Sequence, residues 1–212
     1  NYGEFFLYKW WKEILELATK YLPQTQIVIP TNGTGIDNDV VGVLAKSTVR
    51  IINFSVNAFL GETYKRFMGL PEEAINNIKW RMFKLKQSRP DITFWVSMVY
   101  DPAYQSEKEK ELFVEHWRHM AVPQIIPASN CNRYPLKIQT NLPCRSIFSD
   151  LVVGYDGHLS SCCFDAGFQL DLGSYSGNLK SDWRNPKLEV LRELHNEGNR
   201  NKIKFCGGCS FA

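Results

Sequence analysis

Apolar and polar positions along the first 130 or so residues predict helices and buried strands in turn. The segment "LYKWWKEILELATKYL" (7–22) places Leu7, Trp11, Ile14, Leu15, Ala18 and Leu22 at helical spacing. "QIVIPTN" (26–32) is a short apolar run ending in turn residues, which predicts a strand. Asp37 stands where it would cap a short helix over "NDVVGVLAK". The runs "RIINFSV" (50–56), "ITFWVSMVY" (92–100) and "VPQIIPAS" (122–129) predict three further strands. "PEEAINNIKWRMFKLKQ" (71–87) opens on Pro with acids in its first turn and reads as a helix, as does "SEKEKELFVEHWRHM" (106–120). Residues 54–69, "FSVNAFLGETYKRFMG", read as a strand end and its loop. Strands that are apolar almost throughout and alternate with helices predict a parallel sheet covered by helices. Four strands are too few to close a barrel, so the expectation is an α/β unit in the form of a partial parallel (β/α) barrel.

The rhythm changes near residue 131. "CNRYPLKIQTNLPC" has no helical period and reads as a linker, which sets the expected domains at 1–135 and 136–212. In "IFSDLVVGYDGHLSSCCFD" the Asp156-Gly157 pair between apolar runs signals a hairpin. A loop rich in glycine and serine follows. "NPKLEVLRELHNEG" (185–198) has Asn at the cap, Pro in the first turn, a Leu188/Leu191/Leu194 stripe and Gly198 as a stop. A unit this small and loop-rich needs a staple to hold it.

Composition narrows the function classes. The chain has 212 residues, 44% hydrophobic and 22% charged, with a formal charge of +3. That charge is too small to argue for nucleic acid or an anionic membrane as partner. No apolar run reaches membrane-spanning length and no signal segment opens the sequence, so the expected compartment is the cytoplasm. Six cysteines are then more naturally a metal clip or redox pair than a disulfide framework.

Four of them stand out. Cys144 precedes the hairpin, Cys162 lies on its return strand, and Cys206 and Cys209 form a CxxC, giving C-x17-C-x43-C-x2-C. Four thiolates so placed can converge on one tetrahedral ion or on one four-iron cluster. Gly207 and Gly208 would let the backbone turn so that both sulfurs of the CxxC face one way. Buried cysteines without metal, a zinc site and an iron–sulfur site are all open on these residues alone. Cys163 adjoins Cys162, and neighbours on a strand face opposite ways, so Cys162 is the expected ligand. Cys131 is outside the pattern. His116 and His119 could bind zinc but fit packing or solvent better. "GTG" (33–35) lacks the rest of a phosphate loop. Turn and cap roles suffice for Asp150, Asp156 and Asp165.

With Cys144, Asp156-Gly157, Cys162, Gly177-Asn178, Trp183 and Cys206/Cys209 in this order, the second unit resembles the SPASM or "twitch" auxiliary-cluster domain of radical S-adenosylmethionine (SAM) enzymes. Further cysteines of a full SPASM domain are missing after the CxxC, so the shorter twitch form is the closer match. The first unit supports the resemblance. Gly3-Glu4 precedes a helix, as does the family's GGE motif, and Thr31-Asn32-Gly33 follows the first strand. Ser55 and Asn57 fall where polar residues reach the cofactor at the carboxyl ends of strands.

The resemblance implies a small Cys-rich hairpin-plus-helix domain with a [4Fe–4S] cluster on Cys144, Cys162, Cys206 and Cys209. It implies SAM held near Gly3, Glu4, Asn32, Ser55 and Asn57. It further implies a radical SAM oxidoreductase or maturase that abstracts hydrogen from a peptide or small-molecule substrate. A flavodoxin or ferredoxin would be its electron donor. The family's CxxxCxxC, which binds a second [4Fe–4S] cluster, is absent here; the expectation is that it belongs to a missing upstream segment, without which these residues are inactive. The competing expectation is a non-catalytic, zinc-stapled binding module on an α/β platform.

Overall fold

The computed structural model describes residues 3–128 and 141–209. The chain divides into two compact units, Asn1–Ala128 and Ser129–Ala212. The boundary expected at 135/136, and residues 131–140 of the expected linker, lie outside the described residues.

In the first unit four strands follow one another in order: β1 (Val28–Thr31), β2 (Ile51–Ser55), β3 (Thr93–Tyr100) and β4 (Val122–Pro127). All three pairings are parallel. Parallel neighbours need crossovers, and these carry α2 (Asn38–Lys46), α3 (Gly61–Met68), α4 (Glu73–Ser88) and α5 (Glu107–Trp117); α1 (Trp11–Tyr21) precedes the sheet. The register aligns Ile29, Ile52 and Phe94 across three strands, and likewise Thr31, Phe54 and Val96. Thr31 is buried, and the apolar residues of these rows share one core with Leu15 of α1, Leu44 of α2, Leu85 of α4 and Trp117 of α5. The alternate positions put Asn53 beside Trp95, Ser55 beside Ser97, and Ser97 beside Gln124, on the opposite face. The expected parallel α/β architecture is therefore what the chain adopts.

Two differences from the sequence reading have a physical cause. The helical segment expected over 7–22 divides into a 3-10 turn (Phe5–Leu7) and α1. Trp11 and Leu15 are buried, whereas Leu7, Ile14 and Leu22 of the expected stripe are exposed. The stretch read as a loop after β2 contains α3, which buries only Tyr64 fully and is too short to show a period. Helix α3 is held by a tertiary contact. The buried Glu109 carboxylate of α5 accepts the Phe59 and Leu60 N–H groups at 3.0 and 3.1 Å and the Thr63 hydroxyl at 3.2 Å. It thereby satisfies donors that the start of a helix leaves open.

The second unit opens with α6 (Ser146–Ser149) and a two-stranded antiparallel hairpin, β5 (Val152–Val153) and β6 (Leu159–Ser160). Gly157 sits at φ 87° in its turn, and Asp156 Oδ1 accepts the His158 N–H at 3.1 Å. This is the expected Asp-Gly hairpin. Helix α7 (Leu179–Trp183) lies in the stretch read as a loop, capped by Asn178. Helix α8 (Pro186–Asn196) is capped by Asn185, and a 3-10 turn (Arg200–Lys202) leads to the CxxC. Two small apolar clusters serve this unit. Ile147, Leu159, Leu172 and Leu188 form one; Leu170, Ile203, Phe205 and Cys206 form the other.

Replacing Glu109 with Ala leaves two helix-terminal N–H groups unpaired, at about 1–3 kcal/mol each. The expected loss of stability is about 3 kcal/mol, read by urea denaturation of the Glu109→Ala chain.

Candidate metal centre

Cys144, Cys162, Cys206 and Cys209 come from three separate segments and line one small cavity. Cys206 is buried and the other three are half-buried. Cys163 is exposed and is not among the cavity's lining residues. The Cys162 thiol is pushed up to about 11 and the Cys206 thiol up to about 12. Burial is the main cause for both, and the charges of neighbouring cysteines add to it. Thiolates crowded in a dry cavity repel one another; a cation reverses that balance. Among the described residues, no three His, Cys, Asp or Glu side chains form a group able to hold a single metal ion.

Three side chains that the sequence reading did not single out place these cysteines. The Arg200 guanidinium is only 2% exposed. Its Nη1 donates to the Leu142 carbonyl at 3.2 Å, and its Nη2 donates to the carbonyls of Cys206 and Cys209 at 3.4 and 3.2 Å. One cation thus ties the segment before Cys144 to the CxxC loop. His195, at the end of α8, accepts the Cys144 N–H on Nδ1 at 3.1 Å. Burial first, and the Arg200 charge second, lower its pKa to about 4, so the imidazole is neutral at pH 7.

Asp165, read only as a turn residue, organises the loop that carries Cys162. Its buried carboxylate accepts the Ser160 hydroxyl at 2.8 Å and the N–H groups of Gln169 and Leu170 at 2.7 and 2.9 Å. Ser160 Oγ in turn accepts the Cys162 N–H at 3.4 Å. In the CxxC, a Cβ on Gly207 would lie 2.9 Å from the Asn201 carbonyl oxygen. Glycine is required there by close approach rather than by an unusual turn conformation.

The donor set suits a multi-iron group. Four cysteines line the cavity, with four further polar residues: Ser146, Ser161, His195 and Arg200. Ser161 Oγ, His195 Nε2 and Arg200 Nε are all buried and find no hydrogen-bond partner among the described residues.

The first unit gathers the other expected residues at the carboxyl ends of β1 and β2. The Glu4 carboxylate accepts the Thr31 hydroxyl at 2.6 Å and the Asn32 N–H at 2.7 Å. The Gly3-Glu4 and Thr31-Asn32-Gly33 fragments are therefore two halves of one contact. Asn32 Oδ1 accepts the N–H and the hydroxyl of Thr34 at 2.8 and 2.7 Å. Ser55 ends β2, half-buried beside Ser97. Gly3 is exposed, and a Cβ there would meet nothing within 4 Å.

Asn57 is committed within the protein. It adopts φ 63°, its Oδ1 accepts the Val99 N–H at 3.1 Å, and its carbonyl accepts the Gln105 side-chain amide at 2.7 Å. These bonds extend the β2–β3 contact beyond the last strand residue. The remaining candidates serve the fold. Gly33 donates its N–H to Thr31 Oγ1 at 2.9 Å, and a Cβ on Gly35 would meet Phe6 Cβ at 2.9 Å. The His116 ring packs edge-on against Phe59 and Trp117, while His119 is exposed. Cys131 lies outside the described residues.

Residues 144–210 match the family model of the SPASM iron–sulfur cluster-binding domain. No curated protein matches the chain. Several solved structures share its fold. BtrN in complex with AdoMet and 2-DOIA is 18% identical over 99% of this chain and 70% of its own, with a TM-score of 0.64. Streptococcus suis SuiB bound to precursor peptide SuiA is 15% identical over 98% of this chain and 57% of its own, with a TM-score of 0.71. The anSMEcpe structure with bound AdoMet and Kp18Cys peptide is 14% identical over 95% and 71%, with a TM-score of 0.59. The chain thus shares the fold of these structures over nearly its whole length, and its second unit carries the match to the SPASM iron–sulfur cluster-binding domain. No helix among the described residues is long and apolar enough to cross a membrane.

Raised thiol pKa values have a measurable consequence in metal-free protein. In iodoacetamide at pH 8, Cys163 should alkylate well before Cys162 and Cys206, as read by peptide mass spectrometry. The protonated thiols favour the folded state fully below the ordinary thiol value of about 8.5. That contribution fades as pH rises through about 11 and 12. Metal-free protein should therefore lose stability above pH 9.

Proposed function

We propose that the chain is part of a radical SAM enzyme whose second unit holds an auxiliary [4Fe–4S] cluster on Cys144, Cys162, Cys206 and Cys209. In this reading a 5′-deoxyadenosyl radical derived from SAM abstracts a hydrogen atom from an organic substrate. The observation that carries the reading is the convergence of four cysteines, distant in sequence, on one cavity within the matched iron–sulfur domain. The match of residues 144–210 to an iron–sulfur cluster-binding domain supports a cluster over zinc on the same four cysteines.

When bound, the cluster supplies one-electron transfer. The chain's own residues do the rest. Four cysteines fill the coordination sites, which leaves none for substrate and favours electron transfer over substrate binding. Arg200 and His195 hold the Cys144 and CxxC segments in place, and Asp165 holds the Cys162 loop. Leu170, Ile147 and Phe205 line the cavity and keep it dry.

In the first unit, Glu4, Asn32 and Ser55 would contact SAM at the carboxyl ends of the strands, where parallel sheets bind ligands. The Glu4 carboxylate retains acceptor capacity beyond its bonds to Thr31 and Asn32. Asn57 would position that rim rather than touch the cofactor. Peptides and small molecules are the substrate classes in view, because the similar structures carry both. A flavodoxin or ferredoxin would supply electrons, in the cytoplasm, where thiols stay reduced.

Anaerobic reconstitution with iron and sulfide should load about four irons per chain. Replacing Cys144, Cys162, Cys206 or Cys209 singly with Ala should lower that content at least twofold, and Cys163→Ala should not. Colourless protein carrying one zinc would contradict the proposal, and equal sensitivity at Cys163 would overturn the ligand assignment.

A further inference from the structure

The three polar atoms without partners around the sulfur cavity call for an explanation of their own. Ser161 and His195 are 0% exposed and Arg200 is 2% exposed, so solvent does not satisfy them. Ser161 Oγ, His195 Nε2 and Arg200 Nε find no hydrogen-bond partner among the described residues. Buried donors left unpaired oppose folding, and proteins keep few of them. Here three such residues line one cavity, whose remaining polar lining is four cysteines and Ser146.

All three atoms can act as donors. The guanidinium Nε carries a hydrogen at any accessible pH. The serine hydroxyl rotates to suit its neighbour. His195 is fixed by geometry: Nδ1 accepts the Cys144 N–H, so that nitrogen is bare and Nε2 carries the ring proton. The same contact that places Cys144 therefore directs the role of the far side of the ring. Sulfur atoms of an iron–sulfur group are the acceptors such a cavity would offer, and hydrogen bonds to them shift reduction potentials.

We propose that Ser161, His195 and Arg200 form a donor shell that hydrogen-bonds the sulfur atoms of the bound cluster and raises its reduction potential. This inference rests on the reading of the four cysteines as cluster ligands. Donors stabilise the more negative, one-electron-reduced state more than the oxidised one. Removing them makes the cluster harder to reduce. Arg200 also holds three carbonyls, so Ser161 and His195 are the cleaner probes.

The test uses the anaerobically reconstituted chain, with iron content and midpoint potential measured together, the latter by EPR-monitored titration with dithionite. Ser161→Ala removes only a hydroxyl that has no hydrogen-bond partner among the described residues. It should keep the iron content and shift the reduction equilibrium about tenfold toward the oxidised form, about 59 mV for a one-electron couple. His195→Leu and His195→Gln both lose the acceptor for the Cys144 N–H, but only Gln keeps a donor near the Nε2 position. His195→Leu should shift the equilibrium about tenfold, and His195→Gln should return to within about threefold of wild type. If His195→Leu fails to load iron, Ser161→Ala decides alone. Iron-loaded Ser161→Ala with an unchanged midpoint would overturn the donor shell. Wild-type chain that binds no iron would instead overturn the cluster reading on which the shell depends.

Discussion

A single buried guanidinium organises the second unit. Arg200 reaches back 58 residues to the Leu142 carbonyl and forward to the carbonyls of Cys206 and Cys209. It thereby ties the segment before Cys144 to the CxxC loop. The two apolar clusters among the unit's described residues are small, with four buried residues each. Such cores supply little stability, and a site that links three segments compensates for them. A permanent positive charge next to thiols also eases the build-up of negative charge that metal binding demands. Arg200 is thus both a structural tie and an electrostatic one.

The first unit shows the same logic with a carboxylate. Glu4 binds the hydroxyl of Thr31 and the N–H of Asn32, at the carboxyl end of the first strand. Glu109 binds the start of the helix that follows the second strand. Each charge is matched to backbone donors that the ends of strands and helices leave open. The result is an ordered rim where a parallel sheet presents ligand-binding positions. On the sheet itself, Asn53, Ser55, Ser97 and Gln124 occupy the face opposite the apolar core. Three strands that read as apolar runs, β2, β3 and β4, therefore carry polar positions that their overall hydrophobicity hides.

The strands, the hairpin and the long helices were legible because their signals are local. Ile51–Ser55 and Thr93–Tyr100 announce themselves as apolar runs, and Asp156-Gly157 announces its turn. Helices α3 and α7 were missed because eight and five residues are too few to display a period. Spacing picked out the four cysteines that line the cavity; strand alternation is not the reason that Cys162 rather than Cys163 lines it, because β6 ends at Ser160 and Cys162 lies in the loop beyond the strand. The supports of the four cysteines were not legible. Arg200 sits in the polar stretch "NEGNRNK", His195 follows a leucine stripe, and Asp165 looks like one more turn residue. Nothing local distinguishes a buried polar side chain that ties segments together from a solvated one; only the tertiary fold decides. Asn57 is the converse case. Its position invites a ligand contact, while its bonds to Val99 and Gln105 give it internal work.

The account turns on four thiolates filling one cluster. A Mössbauer spectrum of the chain reconstituted with iron-57 tests that most directly. Complete thiolate ligation predicts the signature of one [4Fe–4S] cluster with four equivalent sulfur environments, unchanged when SAM is added. A distinct iron subsite that shifts on adding SAM would contradict it, as would iron bound only as isolated ions.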